Sequence, residues 1–166
     1  MTKSNTRKVI IGRAELLHFT DTNIADVPAK VDTGAYRSSV HADRIKLKDD
    51  GKVLSFRILG NHPLFGSLAT EVNTKKFSRG WVTSSFGHSQ KRYRVKLRVK
   101  LGPKTFLATF SLADRTTNVY PILVGREILN KRFIVDTAKT SVNRSELKKQ
   151  HGIAFPKEDQ EGEELL

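Results

Sequence analysis

The chain of 166 residues contains no cysteine, which excludes disulfides, thiolate zinc ribbons and a cysteine nucleophile. No window approaches the roughly 18 consecutive apolar residues of a membrane-spanning helix. The apolar start Val9-Ile10-Ile11 is too short for the core of a secretory leader. His-Glu-x-x-His is missing, and the five histidines (His18, His41, His62, His88, His151) are scattered without metal-ligand spacing. There is no Gly-x-x-x-x-Gly-Lys-Ser/Thr loop for a nucleotide, and no repeat recurs at a fixed period. No metal and no cofactor is therefore expected, although a metal site built from residues distant in sequence leaves no local signature. These absences together lead us to expect a cytoplasmic protein without a membrane segment.

What the chain has in excess is positive charge. The formal net charge is +13, and the last nine residues hold five acids (Glu158, Asp159, Glu161, Glu163, Glu164) and no base, so residues 1–157 carry +18. Such a surface attracts polyanions, among them nucleic acid, the ribosome and acidic peptides. The length fits one domain with a real core. We divide it into a basic N-terminus (1–8), a folded domain (9–142), a C-terminal extension (143–156) and an acidic tail (157–166) expected to be disordered.

The folded part reads as all-β. Val9 to Phe19 reads as a strand pair or bent strand. Asn23 to Val31 contains Pro28 and reads as an edge or bulged strand. Arg44 to Leu59 reads as a hairpin turning at Asp50-Gly51, and residues 60–80 as less regular. From Arg92 to Leu101 cations alternate with apolar residues, so Arg92, Arg94, Lys96, Arg98 and Lys100 share one face of a strand. Thr105 to Leu112 is its return strand after the turn at Gly102-Pro103. Pro121 to Gly125 is a short buried strand, Arg126 to Lys131 a short helix and Phe133 to Asp136 another strand. Ser145 to Gln150 reads as helical, with Ser145 as its cap.

The segment that carries chemistry is Asp32-Thr33-Gly34-Ala35, at the end of an apolar strand. A carboxylate that activates water needs a second carboxyl group beside it. Two such groups about 3 Å apart share one proton and together act as acid and base. Glycine after Asp-Thr permits close backbone approach, and the Thr33 hydroxyl can brace the paired loops. Roughly ninety residues on, Ile122-Leu123-Val124-Gly125 precedes Arg126-Glu127-Ile128-Leu129. Asp136-Thr137-Ala138 resembles a degraded second copy of the aspartate motif. Alanine replaces its glycine and no second apolar-glycine motif follows, so we expect one catalytic loop per chain, with Asp136 near a dimer or substrate surface.

The order Asp-Thr-Gly-Ala, then apolar residues ending in Gly125, then a short helix resembles the retropepsins. Together with Ser84 to Arg92, Ser111 to Arg115, Tyr120 to Arg126 and Phe133 to Asp136, it resembles one bacterial retropepsin-like family over roughly residues 9–140. That family is often labelled "ATP-dependent zinc protease" and is associated with alpha-L-glutamate ligases. This sequence supports neither half of that label, yet a metallopeptidase is kept as a third reading, which chelator sensitivity would separate. The resemblance implies a small closed β-barrel, a homodimer partner, and an aspartic peptidase trimming glutamate tails from a ribosomal protein. In that frame Asp32 is catalytic, and Thr33, Gly34, Ala35, Gly125 and Arg126 support its loop. Ser85, Gly87, His88 and Arg92 fall in the region of a substrate-covering flap. Asp114 and Arg115 are expected to form ion pairs holding the active-site loop. Arg92, Arg94 and Lys96, with the rest of the cationic ladder, are candidates for an acidic peptide or glutamate-tailed substrate. The alternative is a non-catalytic module on the same fold, docking ribosome or RNA through that basic face.

Overall fold

The computed structural model of the protein describes residues 7–84 and 86–151. Ser85 and the acidic tail lie outside the described residues. Eleven strands and two helices follow in order: β1 (Val9–Ile11), β2 (Ala14–Phe19), β3 (Ile24–Val31), β4 (Ser38–Lys48), β5 (Val53–Ile58), β6 (Thr70–Thr74), β7 (Phe77–Thr83), β8 (Ser89–Leu101), β9 (Lys104–Ala113), β10 (Ile122–Val124), α1 (Arg126–Leu129), β11 (Phe133–Val135) and α2 (Arg144–His151). The fold is all-β, and its two helices fall where Arg126 to Lys131 and Ser145 to Gln150 read as helical.

The short strand β10 pairs in parallel with β3 and antiparallel with β4. The path β10–β3–β2–β8–β9–β4 therefore returns to β10, and six strands close into a ring. Leu17, Val27, Val40, Val99, Phe110 and Ile122 are fully buried in its core. Burying such side chains contributes about 1.5–3 kcal/mol each. β3 is not an edge strand but is bulged, its register against β2 slipping between Leu17↔Val27 and Phe19↔Ile24, and β10 joins it only from Ala29 onward. Pro28 thus falls where β2 alone runs alongside, the stretch that tolerates a missing backbone donor.

Two long strands leave the ring and carry hairpins. The outer half of β4 pairs with β5, and β5 with β6. The outer half of β8 pairs with β7 from Phe77↔Val95 to Thr83↔Ser89. Residues 60–80, expected to be irregular, hold β6, the start of β7 and one 3-10 turn at Gly66–Leu68. β6 reads Thr-Glu-Val-Asn-Thr and is half-exposed or exposed throughout, so it carries no apolar alternation and is held by its ladder to β5. At α2 the cap is Asn143 and not Ser145: the Asn143 side-chain oxygen accepts from the Glu146 N–H at 3.0 Å. Val142 and Leu147 then pack on Ala14, Leu64, Val119 and Tyr120.

The loops after β5 and β9 are pinned by two buried histidines. His41 lies on β4, 1% exposed; its Nε2 bonds the Gly60 carbonyl at 2.7 Å and its Nδ1 accepts from the Arg115 N–H at 2.8 Å. His62, 3% exposed, bonds the Asn118 carbonyl through Nε2 and accepts the Leu64 N–H at Nδ1. Each ring thus uses both nitrogens as a neutral imidazole, and the rings meet edge to face at 5.3 Å. Burial pushes His62 down from 6.5 to about 4.

Above pH 6.5 the folded and unfolded chains both hold His62 neutral. As the pH falls toward 4, the unfolded chain takes up a proton that the folded chain refuses. The His62 contribution to stability should therefore drop by about 3 kcal/mol across that window. Urea midpoints measured from neutral pH to pH 4 check this, and His62→Gln should flatten the slope.

Candidate active site

Asp32 follows β3 directly, and the chain turns sharply around its carboxylate. Oδ1 accepts the Gly34 N–H at 2.9 Å and the Ala35 N–H at 3.2 Å. A Cβ on Gly34 would lie 3.2 Å from that same oxygen. The loop is clasped from behind by the turn between β10 and α1. Asp32 N–H donates to the Val124 carbonyl at 2.9 Å, while Arg126 and Glu127 N–H donate to the Ala35 and Tyr36 carbonyls at 2.8 and 2.9 Å. Gly125 N–H donates to the buried Ser38 hydroxyl at 2.9 Å. Arg126 Nη1 reaches over the loop to the Thr33 and Gly34 carbonyls at 3.0 and 2.9 Å. A Cβ on Gly125 would stand 2.5 Å from the Arg37 carbonyl oxygen, closer than any side chain tolerates.

The same construction occurs a second time. Ile10-Ile11-Gly12-Arg13 echoes Leu123-Val124-Gly125-Arg126. β1 pairs in parallel with β11 as β10 does with β3. Asp136 N–H donates to the Ile11 carbonyl, and Asp136 Oδ1 accepts the Ala138 N–H at 3.0 Å. Arg13 Nη1 bonds the Thr137 carbonyl at 3.0 Å, and a Cβ on Gly12 would collide with the Lys139 carbonyl. The apolar-apolar-Gly-Arg pattern was visible twice in the sequence; the copy serving Asp136 simply precedes it in the chain.

A cleft of about 970 Å³ opens beside the Asp32 loop. Its floor includes Ser39, Ser111 and Leu123, and the β7–β8 hairpin overhangs it with Trp81, Phe86, His88 and Arg92. Trp81 and Phe86 are 66% and 82% exposed. The hairpin's turn is held by the Ser84 N–H on the His88 carbonyl at 2.8 Å, with Gly87 at φ +81°. Of the residues singled out in the sequence, the cleft gathers Asp32, Gly34, Ala35, His88, Arg92 and Arg115. Gly125 and Arg126 stand behind the loop. Lys96 is exposed, with Arg98 and Lys100, on the stretch of β8 between β2 and β9. The five-cation ladder is thus divided, because Arg92 and Arg94 are half-buried. Burial holds Arg92 below its ordinary value. Asp114 Oδ1 accepts from the Thr116 N–H and hydroxyl and lies 3.9 Å from His41 Nδ1, and Arg115 Nε donates to the Tyr120 carbonyl. Arg37 pairs with Glu127 at 2.9 Å. Among the described residues no three His, Asp or Glu side chains converge as a metal-binding set.

Because the obstacle at Gly125 is backbone, Gly125→Ala should cost about 1–3 kcal/mol or more. Gly66→Ala, whose added methyl meets nothing nearer than 3.7 Å, should be close to neutral. Urea denaturation of the two variants measures the difference.

Comparison with known proteins places this geometry. A model described as "RimB-like: Retropepsin-like aspartic endopeptidase RimB" matches residues 10–146. Curated relatives are each named "Probable alpha-L-glutamate ligase". The protein of Desulfotalea psychrophila is 30% identical over 156 residues, 92% of this chain and 33% of its own length. That of Shewanella pealeana is 31% identical over 137 residues, 80% of this chain and 29% of its own. The chain thus spans about a third of the length of the curated relatives it matches. The crystal structure of a Legionella pneumophila protein of unknown function superposes with a TM-score of 0.64 at 29% identity, covering 81% of this chain and 97% of the other. No helix among the described residues is long and apolar enough to cross a membrane. With its aspartate loop clasped by an apolar-apolar-glycine turn beneath an overhanging hairpin, the chain belongs to the RimB-like family of retropepsin-like aspartic endopeptidases.

Proposed function

We propose that the chain is one half of an aspartic peptidase. In this reading Asp32 from each of two copies meets at a common axis and activates a water for attack on an amide carbon. The observation that carries the reading is the single carboxylate of the cleft. Among its described lining residues Asp32 is the only acid, its Oδ1 is fixed by two backbone N–H groups, and Oδ2 has no partner among the described residues. A lone carboxylate cannot both take the proton of water and give one to the substrate, so a second copy is required. The shared proton sits on one aspartate. The ionised one takes a proton from water as its oxygen bonds to the carbonyl carbon, and the protonated one donates to the carbonyl oxygen. Transfer of a proton to the amide nitrogen then releases the amine as the C–N bond breaks.

Acidic peptides are the proposed substrates, and glutamate tails in particular. The cleft lining holds Arg37, Arg92 and Arg115 against the one aspartate, and the relatives named glutamate ligases point to glutamate as the residue handled. Thr33, Gly34, Ala35, Gly125 and Arg126 act as loop supports, and the β7–β8 hairpin as the flap. Ile10 and Ile134, register partners on the outer sheet and each more than half exposed, are proposed to be covered in the dimer. A ribosome-bound target fits the surplus positive charge.

Asp32→Asn should lower cleavage of an oligoglutamate-tailed peptide by about 10²–10⁴-fold, and chelator should leave wild type unaffected. Mixing wild type with Asp32→Asn protein tests the shared site. Activity should fall with the square of the wild-type fraction, whereas a linear fall means that each chain works alone. Equal cleavage by both proteins would sink the assignment of Asp32. Binding of RNA or ribosomes without cleavage, abolished by neutralising Lys96, Arg98 and Lys100, would favour a docking module.

A further inference from the structure

The floor of the cleft carries polar groups that the fold leaves unsatisfied. Cross-strand register aligns Arg94 of β8 with Ser111 of β9, Ser111 with Ser39 of β4, and Ser39 with Leu123 of β10. Directly opposed residues project from the same side of a sheet, so this row lies on one surface, and three of its four members line the cleft. Ser111 is 2% exposed, and its hydroxyl has no hydrogen-bond partner among the described residues. Nε of Arg94 is likewise buried and unpartnered. Arg92 lies two residues along the same face of β8, opposite Gly80. A side chain on Gly80 would occupy the space of the Arg94 guanidinium, so this glycine makes room for the second cation on the hairpin.

Among the described residues neither arginine has an acidic partner. Arg92 bonds the Gln90 side-chain oxygen at 3.3 Å, and Arg94 only brushes the Trp81 carbonyl at 3.5 Å. Leaving a buried donor without a partner is destabilising, and holding two cations two residues apart on one strand face adds repulsion. A fold keeps such an arrangement cheaply only where something else completes it. The missing group must be anionic, to offset two cations, and must accept several hydrogen bonds at once. A carboxylate does both, most strongly against a guanidinium fork.

We infer that Arg92, Arg94 and Ser111 form a subsite for the side-chain carboxylate of an acidic residue in a bound peptide. The peptide as ligand rests on the peptidase reading above; the subsite itself can be tested by binding alone. It separates the roles of the basic residues: those half-buried where β8 pairs with β7 select an acidic side chain, whereas Lys96, Arg98 and Lys100 act only through the general field.

The chain supplies its own probe, since Trp81 is its one tryptophan and lines the same cleft. Full-length Asp32→Asn protein, which cannot turn over, is titrated with tetraglutamate and with tetraglutamine. Trp81 emission is followed, and calorimetry provides a second reading. The glutamate peptide should bind about tenfold or more tightly than the glutamine peptide, as expected when a buried charge pair is lost. Adding Arg92→Gln or Ser111→Ala should bring the two within about twofold, while Lys96→Gln should preserve the preference. Ser111→Ala should also be no less stable than its parent, because it removes an unsatisfied hydroxyl; a purely structural serine would lower stability. Equal binding of the two peptides, no binding of either, or equal losses from Arg92→Gln and Lys96→Gln would overturn the subsite. So would inorganic phosphate displacing the glutamate peptide at equal concentration, which would mark a general anion site. If wild type cleaves nothing while the glutamate preference persists, the peptidase reading fails and the subsite stands. If cleavage persists without that preference, only the subsite fails.

Discussion

Everything at the candidate site depends on one close approach, the passage of Gly125 across the backbone of residues 36 and 37. The distance from a built Cβ to the Arg37 carbonyl is 2.5 Å, so the crossing exists only because there is no side chain. Once the strands are that close, the main-chain groups of Val124, Arg126 and Glu127 fall within hydrogen-bonding range of Asp32, Ala35 and Tyr36. The Asp32 loop is thus fixed mainly by peptide groups, which do not change when surface side chains change. Arg126 adds a long-range side-chain brace, and its guanidinium suits the task because two carbonyls accept from a single Nη1.

The echo of this crossing at Gly12 and Asp136 shows what the clasp alone can and cannot make. Both aspartates follow a strand paired in parallel with a strand ending in glycine-arginine, and both accept a backbone N–H two residues on. Only Asp32 adds a second N–H on the same oxygen, from Ala35. Asp32 also lines a cleft, whereas Asp136 faces Lys139 at 4.0 Å. The clasp positions a carboxylate; the flap, the serine floor and the surrounding arginines give one carboxylate a substrate-sized space.

How much of this was legible follows from which residues had little freedom. Asp32-Thr33-Gly34 and Gly125-Arg126 could be read because backbone crossing admits few alternatives. The strands of the ring could be read because their inward residues alternate and are apolar. β6 could not, since its residues are half-exposed or exposed and its register comes from β5. Asn143 and Ser145 both have the chemistry of a cap, and only the backbone path selects Asn143. His41 and His62, twenty-one positions apart, left no spacing signal, yet the fold sets their rings 5.3 Å apart. The period of two in β8 gave the faces correctly but could not show where β7 would pair with it.

That pairing decides what the positive charge does. Five cations on one face of one strand look uniform in sequence, and a uniform ladder would attract any polyanion with little discrimination. Pairing β7 with the outer half of β8 moves Arg92 and Arg94 out of bulk water while Lys96, Arg98 and Lys100 stay exposed. Exposed charges are screened within about 8 Å at physiological ionic strength, so they steer encounters and distinguish partners poorly. Charges held half-buried on the hairpin, beside a buried hydroxyl with no partner among the described residues, are poorly hydrated already and gain more from a ligand that fits. One strand thereby serves both long-range attraction and short-range selection. The division between them falls where the flap hairpin leaves the ring.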